Sequence, residues 1–464
     1  MGAVAGSELS PLDEQMLGDE IMREIRADKS YLDDPETIDY LNHLGYTLAS
    51  VLPSHTYSYF FFPIKDGSMN AFAMPGGYIA VHTGLFTATQ SENELAGVIA
   101  HEIGHVSQRH LARMIDAQKA NPAITFGSLL LALLAARAGS ADAAMGAMVG
   151  GQALIASKQL GYSRSHEREA DRVAVDALYR AGFDPRGMES FFNRLYSSTR
   201  YYEAASPQYL STHPLTLDRM SDMANRTKQL PAHTHASSLS YHIIRARLRV
   251  LQTSSHNELL KTAQTMRQEY SSTYEPKEKT ALAYGLALAY DELKDSKNAL
   301  AFASAALSAS PDKTNLYLEK MSCDLRFKYG SRQIKEDSLA KAKRLAVNNP
   351  TSPIAVMLYA DELYQLGRYK ETLKFMRTQE AIDTSSPAYA SVAAKCYKQL
   401  GQMSEHYRYI GDMYLAYGDK KAAEYQYQLA RKANDGDYYT MSQVDAKLRS
   451  VREEILIDEK FKEN

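Results

Sequence analysis

Residues 91–106 read SENELAGVIAHEIGHV, the stretch with the clearest helical pattern in the chain. Its apolar residues recur three and four positions apart, which indicates one buried helix face. Ser91 and Glu94 have the spacing of a capping box, so we expect the helix to begin just after Ser91. The pattern can continue to about Ala117, and Pro122 interrupts it beyond that point.

Two histidines and a glutamate lie in the middle of this helix, as His101-Glu102-Ile103-Gly104-His105. Residues four apart share a helix face, so the imidazoles of His101 and His105 are placed to bind one Zn²⁺ ion. Glu102 projects beside that ion and can accept a proton from a water that the metal makes acidic. The motif therefore predicts a catalytic zinc site with one ion per chain.

A catalytic zinc ion needs a third protein ligand and an open fourth position. We choose Glu167, because Glu167 and Asp171 lie four residues apart on a second predicted helix, over residues 166–181. Ala170 between them permits close helix approach, and Asp171 can accept a hydrogen bond from a ligand histidine. On spacing alone, two such acids are more often solvated on an exposed helix face, and that alternative stays open.

The other histidines near these motifs are predicted to have structural or surface roles. His82 and His166 are read in this way. His110 follows His105 by five residues, so we expect it to point off the ligand face. His213 precedes a proline, and taken alone it reads as an ordinary loop histidine.

The sequence before the motif helix predicts two helices followed by three short strands. Helical patterns cover residues 13–27 and 35–51. Three short runs rich in aromatic or apolar residues follow, at 57–62, 70–74 and 78–81. Pro75-Gly76-Gly77 turns the chain between the last two. We therefore expect an α+β zincin-like domain, mostly helical, with a small antiparallel sheet.

The most apolar segment of the chain lies just after the motif helix. Residues 123–136 and 143–156 are rich in Ala, Leu and Gly, and Arg137 interrupts the first run. Each run is shorter than the about 20 residues that a membrane-spanning helix needs. A buried helical hairpin is the favoured interpretation, and a flap over the site or a surface resting on a membrane is the alternative.

The second half of the chain is almost entirely helical and repeats. Gly367 and Gly401 stand 34 residues apart in similar contexts, which is the period of tetratricopeptide repeats. Gly418 follows after only 17 residues, so we expect one helix to serve two repeat units. The pattern predicts about four to six helical hairpins in an all-α solenoid. We place the first domain at residues 1–230, a linker after it, and the repeat domain at 239–464.

Composition excludes some function classes and leaves others open. The net charge is −2, from 53 basic and 55 acidic residues, which gives no sign of a nucleic-acid surface or a polybasic membrane anchor. The two cysteines, Cys323 and Cys396, are equally compatible with buried thiols and with a disulfide. The N-terminus has no basic, apolar leader, so either the protein is cytoplasmic or a leader has been removed.

The paired motifs resemble those of a known family. His101 to His105 with Glu167-Arg168-Glu169-Ala170-Asp171 is similar to the HExxH and ExxAD pair of the M48 peptidases. Within that family the chain resembles the soluble periplasmic branch that carries a C-terminal tetratricopeptide domain. The supporting segments are Asn70-Ala71-Phe72-Ala73 with Pro75-Gly76-Gly77, and Thr212-His213-Pro214-Leu215 with Arg219 shortly after.

The resemblance implies roles for individual residues. It implies His101, His105 and Glu167 as zinc ligands and Glu102 as the base. It also implies that His213 lies near the metal, where it either fills the fourth position and keeps the enzyme latent or stabilises the oxyanion. Supporting roles around the metal fall to Asp171 and Arg219. For the substrate we expect strand addition along Asn70, Gly77, Tyr78, Ile79 and Ala80.

The function that this resemblance implies is an endopeptidase of protein quality control. Its expected substrates are misfolded or stalled polypeptides, plausibly outer-membrane β-barrel precursors, with the repeats selecting them or docking the assembly machinery. The runner-up is a repeat scaffold or holdase whose zinc site is latent. A prenyl-peptide protease is disfavoured because the sequence shows no membrane-spanning helices. Periplasmic localisation is expected, with possible peripheral membrane contact and no nucleic acid partner.

Overall fold

The computed structural model describes residues 9–53, 56–118, 163–201, 208–231, 233–312, 314–382, 384 and 386–463. The apolar segment 123–156, predicted as a hairpin or flap, lies outside these residues. Within them, no helix combines the length and the apolar character that crossing a bilayer requires. The chain divides into two compact units, Met1–Ala281 and Leu282–Asn464.

The first unit opens with two helices whose N-termini are set by proline and a polar cap. Helix α1 (Pro11–Ala27) is capped by Ser10, and helix α2 (Pro35–Ala49) is capped by Asp34. Proline in the first turn fixes φ at a helical value and has no N–H that would need a partner there. Both helices predicted before the strands are therefore present.

A three-stranded sheet follows, and its topology differs from the expected one. Strands β1 (Phe60–Ile64), β2 (Ala71–Ala73) and β3 (Tyr78–His82) lie in the order β1-β3-β2. β2 pairs antiparallel with β3, but β1 pairs parallel with β3. The sheet is mixed because β3 inserts between the two earlier strands instead of extending a meander.

The position of β3 corrects the predicted substrate strand. Its residues pair with Phe60–Ile64 on one side and with Ala71–Ala73 on the other. A central strand has its backbone groups occupied on both sides, so Tyr78, Ile79 and Ala80 cannot accept an added strand. The edge strands of this sheet are β1 and β2.

Side chains of the sheet alternate between two helical layers. Phe62 packs on the α1 side with Met22 and Ala80. Phe61 points to the α2 side, where a Cβ on Gly45 would lie 2.2 Å from its ring. Only glycine lets α2 approach the sheet so closely, and this layering brings the motif helix beside β2.

Helix α3 (Thr83–Ala88) leads into the motif helix α4 (Glu92–Ser107), in which every residue from Glu92 to Val106 is buried. Ser91 accepts a hydrogen bond from the Glu94 amide as predicted. The Glu94 carboxylate does not return to Ser91; it accepts from the Gln90 amide at 2.7 Å and pairs with Arg194. The helix start is thus fixed by a wider polar cluster than a capping box.

Helix α4 ends ten residues earlier than the sequence predicts. Arg109 adopts φ 53°, which breaks the helix, and helix α5 (His110–Gln118) begins at the next residue. Arg109 is held there by Glu14, which accepts from its Nε at 2.9 Å. A non-glycine residue in the left-handed region is uncommon, so the apolar pattern gave no warning of this turn.

The second predicted motif helix is α6 (Arg164–Arg180), capped by Ser163. Gly182 ends it at φ 85°, as its position predicts. Helix α6 crosses α4 closely, because a Cβ on Gly104 would lie 3.0 Å from both the Cα and the carbonyl oxygen of Ala170. The helices that complete this part are α7 (Arg186–Tyr201), α8 (Gln208–Thr212) and α9 (Leu217–Gln229).

The segment after α9, predicted as a linker, is bound to the start of α4. The buried carboxylate of Glu92 accepts from Tyr40 Oη at 2.7 Å and from the Ser238 amide at 2.6 Å. Helix α10 (Leu239–Leu251) follows, and its Arg247 contacts Asp34. With α11 (His256–Ser272), the first compact unit extends past residue 230, so a peptidase domain ending near there stays a prediction.

The second unit is built from helices in series, as the repeat pattern predicts. Within its described residues these are α12 (Pro276–Glu292, which begins before the unit boundary), α13 (Ser296–Ala309), α14 (Leu316–Tyr329), α15 (Arg332–Asn348), α16 (Pro353–Gln365), α17 (Tyr369–Met376), α18 (Pro387–Gln399), α19 (Met403–Ala416), α20 (Lys420–Ala433) and α21 (Tyr438–Glu463). Gly367, Gly401 and Gly418 make the turns at φ 75°, 75° and 82°. Helix α19 packs against both α18 and α20, so one helix serves two hairpins. Cys323 and Cys396 are buried free thiols, which removes the disulfide alternative.

Candidate metal centre

The two motif histidines converge at the middle of α4. Their Nε2 atoms lie 3.0 Å apart, and both imidazoles are almost completely buried. The helical spacing of four residues places one ring above the other on the face that meets α6. The sequence prediction for this pair thus describes its geometry correctly.

Glu167 reaches the same point from α6. Its Oε2 lies 3.4 Å from His101 Nε2, and its Oε1 lies 3.4 Å from His105 Nε2. Burial disfavours the charged carboxylate, but the histidines around it, His213 first, hold the pKa of Glu167 far below its ordinary value. The acid chosen from the second motif therefore faces both imidazoles.

His213, just after α8, completes the cluster. Its Nδ1 lies 3.3 Å from His101 Nε2 and 3.1 Å from Glu167 Oε1. One ligand atom from each of His101, His105, Glu167 and His213 lies within 4.8 Å of the others, and all four side chains are buried. The loop histidine that the resemblance singled out is thus part of the same constellation.

These separations fit a divalent metal ion. Four ligands at about 2.0–2.2 Å from one tetrahedral ion lie about 3.3–3.6 Å from each other. The measured contacts between ligand atoms run from 3.0 to 3.4 Å. Hydrogen bonds alone fit less well, because Nε2 of an imidazole carries at most one proton and His101 Nε2 approaches three different partners. Imidazole and carboxylate ligands in this arrangement suit zinc and other first-row divalent metals.

Glu102 lies beside the cluster, in a position to exchange protons with groups bound there. Its Oε1 is 3.5 Å from His213 Nε2, and the carboxylate is fully buried. Neither oxygen accepts a hydrogen bond from the described residues. Burial raises the pKa of Glu102, against the attraction of His213 and His101. The Ala73 amide lies close enough to lower the pKa of this carboxylate, and within the described residues both oxygens are available to a bound water or substrate.

Asp171 and Arg219 form a second layer behind His101. Asp171 Oδ1 lies 3.0 Å from His101 Nδ1, so the other imidazole nitrogen, Nε2, is turned toward the cluster. Arg219 donates to both Asp171 oxygens at 2.8 Å and contacts Glu167 Oε2 at 2.6 Å. Burial opposes ionisation, yet hydrogen bonds from Arg219 and His101 keep the pKa of Asp171 below its ordinary value. Both residues predicted to support the site therefore contact its ligands.

His110 and Tyr209 are two neighbours of the site that sequence reasoning missed. The expectation that His110 points away is wrong: its Nδ1 lies 3.0 Å from His105 Nδ1, because the Arg109 turn folds α5 back toward α4. Tyr209 is buried with its ring stacked on His213 at 4.6 Å, and its hydroxyl has no hydrogen-bond partner among the described residues. In the sequence, Tyr209 could have been suspected only because it lies three residues before the segment Thr212–Leu215, which carries the family resemblance.

The remaining predicted site residues are distributed around the sheet. Asn70 immediately precedes the edge strand β2; it is buried, and its side-chain oxygen finds no partner in the described part of the chain. Gly77 lies in the turn at φ 88°, close to the Ser58 carbonyl, and belongs to the support of the sheet. Of the predicted substrate segment, only Asn70 therefore adjoins a strand edge, and that strand packs against α4.

Comparisons with known proteins agree with this arrangement. The family model described as Peptidase family M48 matches residues 39–227, and one described as Anaphase-promoting complex, cyclosome, subunit 3 matches residues 336–413. A Vibrio cholerae relative named "Putative beta-barrel assembly-enhancing protease" is 38% identical over 69% of this chain. An Escherichia coli K12 relative named "Beta-barrel assembly-enhancing protease" is 36% identical over 56% of this chain. A mitochondrial metalloendopeptidase OMA1 of Arabidopsis thaliana is 33% identical over 32% of the chain.

The matches extend over only part of these relatives. The chain spans 65% of the Vibrio cholerae protein, 53% of the Escherichia coli protein and 28% of the Arabidopsis protein. The segment that matches the peptidase family contains all four clustered side chains, from His101 to His213. At residues 39–227 the chain is therefore similar to peptidase family M48.

Proposed function

We propose that this protein is a zinc-dependent endopeptidase that cleaves unfolded or misassembled polypeptides. The observation that carries the proposal is the buried convergence of His101, His105, Glu167 and His213 at ligand spacing, beside a glutamate whose oxygens have no partner in the described residues. An ordinary buried core does not collect three imidazoles and two carboxylates without compensation.

In this proposal His101, His105 and Glu167 bind one Zn²⁺ ion per chain. The ion supplies Lewis-acid polarisation of the scissile carbonyl and makes a nearby water acidic at neutral pH. Asp171 orients His101 through Nδ1, and Arg219 holds Asp171 and Glu167 in place. The contacts of these five side chains with one another support the assignment.

Glu102 acts as the general base. It takes the proton of the attacking water and delivers it to the nitrogen of the leaving amine. Its burial supports this role, because burial raises its pKa and so brings it nearer to the range in which a carboxylate exchanges protons at neutral pH. Its distance of 3.5 Å from His213 Nε2 also allows the two side chains to act on the same reacting group.

The edge strand β2 is the proposed substrate-binding element, in place of β3. Among the described strands, residues Ala71–Ala73 pair with β3 on one side only, and the Ala73 amide lies near enough to Glu102 to lower its pKa. An extended substrate added to the outer edge of β2 would run past the metal ligands, held by backbone hydrogen bonds that do not depend on its sequence. Such binding suits unfolded polypeptide.

The setting we propose is protein quality control in the bacterial envelope. The support is the name of the relatives, beta-barrel assembly-enhancing protease, together with the helical repeats of the second unit. Repeat arrays present extended surfaces that bind other polypeptides. We infer that the substrates include precursors of outer-membrane β-barrels, that the repeats select them or dock the assembly machinery, and that the protein works in the periplasm with possible peripheral membrane contact.

Replacing Glu102 by Gln tests the peptidase proposal. Glu102→Gln keeps the shape of the side chain but removes the base, so we expect cleavage of an unfolded protein such as casein to fall about 10²–10⁴-fold while the metal is retained. Asp176→Asn, on the exposed face of α6, is the matched control and should cleave like wild type. Unchanged cleavage by Glu102→Gln rejects the mechanism.

A second candidate, a scaffold or holdase with a latent site, is favoured by one observation. His213 Nδ1 lies 3.3 Å from His101 Nε2, close enough to serve as a fourth metal ligand. There it would fill the coordination position that a substrate carbonyl or water needs. If His213 keeps the site latent, His213→Ala should raise casein cleavage severalfold without loss of metal. If His213 instead stabilises the oxyanion, the same substitution should lower cleavage. Prevention of aggregation by Glu102→Gln protein would show a binding role independent of proteolysis.

A further inference from the structure

Each motif histidine has a different neighbour behind it, on the side away from the cluster. His101 Nδ1 faces the carboxylate of Asp171 at 3.0 Å. His105 Nδ1 instead faces another imidazole, that of His110, also at 3.0 Å. The two rings meet nearly edge to face, with centroids 4.9 Å apart and planes inclined by 76°. In this geometry the ring nitrogen of one points at the ring nitrogen of the other.

The contact continues to a carboxylate at the protein surface. His110 Nε2 lies 3.0 Å from Glu169 Oε2, and Arg113 donates to the same oxygen at 2.9 Å. Glu169 and Arg113 are both partly exposed, whereas His105 and His110 are buried. A row of three side chains thus runs from the cluster to solvent, as His105, His110 and Glu169.

The proton positions along this row follow from its two ends. An ionised Glu169 can only accept, so His110 Nε2 carries its proton and donates to Glu169. The remaining His110 nitrogen, Nδ1, is then an acceptor, and it takes a hydrogen bond from His105 Nδ1–H. A neutral imidazole with its proton on Nδ1 has its lone pair on Nε2, the nitrogen that faces Glu167.

The backbone is built to bring His110 to this place. An uninterrupted α4 would carry residue 110 off the ligand face, but Arg109 at φ 53° ends that helix and α5 begins at His110. Arg109 is secured by Glu14 through two nitrogens, at 2.9 and 2.5 Å, and by the Leu9 carbonyl at 2.6 Å. A non-glycine residue costs roughly 1–2 kcal/mol in this conformation, which the buried Glu14 contact offsets.

We propose that His110 is a positioning residue for the metal ligand His105, holding its imidazole in the orientation and proton state that present Nε2 to the ion, with Glu169 as the terminal acceptor. This inference rests on the proposed metal site. It assigns the two motif histidines unequal support: a carboxylate for His101 and a neutral imidazole for His105. The row also ends at partly exposed residues, so the support of His105 responds to changes at the surface.

Metal affinity of His110 variants tests this role without using peptidase activity. His110→Asn places an amide oxygen where Nδ1 accepts, whereas His110→Leu fills the space with no acceptor. Zn²⁺ affinity is measured by competition with a chromophoric chelator, and the Co²⁺-loaded proteins are compared by visible absorption. His43→Leu, at an exposed position on α2, is the matched control.

We expect His110→Leu to bind Zn²⁺ about 10–100-fold more weakly than wild type and to shift the Co²⁺ bands. His110→Asn and His43→Leu should stay within about threefold of wild type, since each keeps an acceptor for His105. Equal affinity of wild type and His110→Leu overturns the inference, and so does equal weakening by Leu and Asn. Wild-type protein that binds no Zn²⁺ would instead overturn the metal site together with this inference.

Discussion

Arg219 shows at the scale of single residues how charge is balanced around the proposed metal centre. Its guanidinium is buried and contacts Glu167 and Asp171, which are buried as well. The ring of Phe192 covers it, 5.3 Å from the guanidinium carbon. Two buried carboxylates therefore share one guanidinium cation, and a single replacement removes a charge partner from both.

We predict that Arg219→Met destabilises the metal-free protein by about 3–5 kcal/mol, because an unpaired buried charge costs far more than a lost surface contact. Urea unfolding at neutral pH with a chelator present measures the change. Arg226→Met is the control, since Arg226 pairs with Asp222 near the surface and should cost less than about 1 kcal/mol. Similar losses for the two variants would show that Arg219 does not act through its buried partners.

Sequence reasoning reached the residues of the site in different ways. His101, Glu102 and His105 follow from helical spacing and the chemistry of zinc ligands. Glu167 needed the resemblance as well, because two acids on a helix are commonplace. His213 came from the resemblance alone, since nothing local ties a loop histidine to a helix 112 residues earlier.

At the scale of elements, the crossing of α4 and α6 determines whether the ligands meet. Gly104 lies between the two motif histidines, and its missing side chain lets Ala170 approach. The motif thus contributes more than ligands: its glycine sets the distance between the two helices that carry them. A larger residue at position 104 would separate His105 from Glu167.

We predict that Gly104→Ala destabilises the protein by about 1–3 kcal/mol and weakens metal binding, because the new methyl group would lie 3.0 Å from the Ala170 backbone. Thermal unfolding and chelator competition measure the two effects. Gly67→Ala is the control, since a Cβ there would meet nothing within 4 Å. A neutral Gly104→Ala would mean that the helices separate without cost.

The elements that sequence reasoning placed wrongly share a physical reason. The strand runs were found to within three residues, but their order in the sheet depends on long-range pairing that alternation does not encode. Likewise, the apolar pattern of residues 91–117 continues through Arg109, whose left-handed conformation is maintained by a contact with Glu14 far away in sequence. Tertiary contacts decided both features.

At the scale of the whole molecule, the helical repeats could be predicted from the sequence, whereas the boundary between the two units could not. A glycine that recurs at a regular period between helices indicates a turn with positive φ, and Gly367 and Gly401 both adopt one. The predicted linker, by contrast, looks polar and irregular in sequence, yet Ser238 and His235 contact the buried Glu92. A loop tied down by a buried carboxylate cannot be distinguished by composition from a free one.

The repeat unit should lose stability as pH rises, owing to Glu362. Burial raises the pKa of Glu362 from 4.5 to about 7; Ser338 Oγ donates to Oε1 at 2.7 Å and opposes the shift, whereas nearby acids add to it. The folded state then binds more protons than the unfolded state between these values. We expect Glu362 to lower the free energy of unfolding by at most about 1.4 kcal/mol per pH unit over that range.

Thermal unfolding of the full chain between pH 4.5 and 7.5 measures this dependence. Glu362→Gln should reduce the loss of stability with rising pH in the unfolding transition of the repeat unit. Glu336→Gln is the control, because Glu336 is exposed on α15 and should leave the pH profile unchanged. A Glu362→Gln profile as steep as that of wild type would assign the proton uptake to other groups.

The metal content of purified variants tests the central claim most directly. Wild type, His101→Ala, Glu167→Ala and the surface control Asp176→Asn are loaded with Zn²⁺, freed of excess metal and analysed by elemental spectrometry, with circular dichroism to verify folding. We predict one equivalent of zinc for wild type and Asp176→Asn, and a large loss for His101→Ala and Glu167→Ala. A full equivalent retained by folded Glu167→Ala would contradict the account.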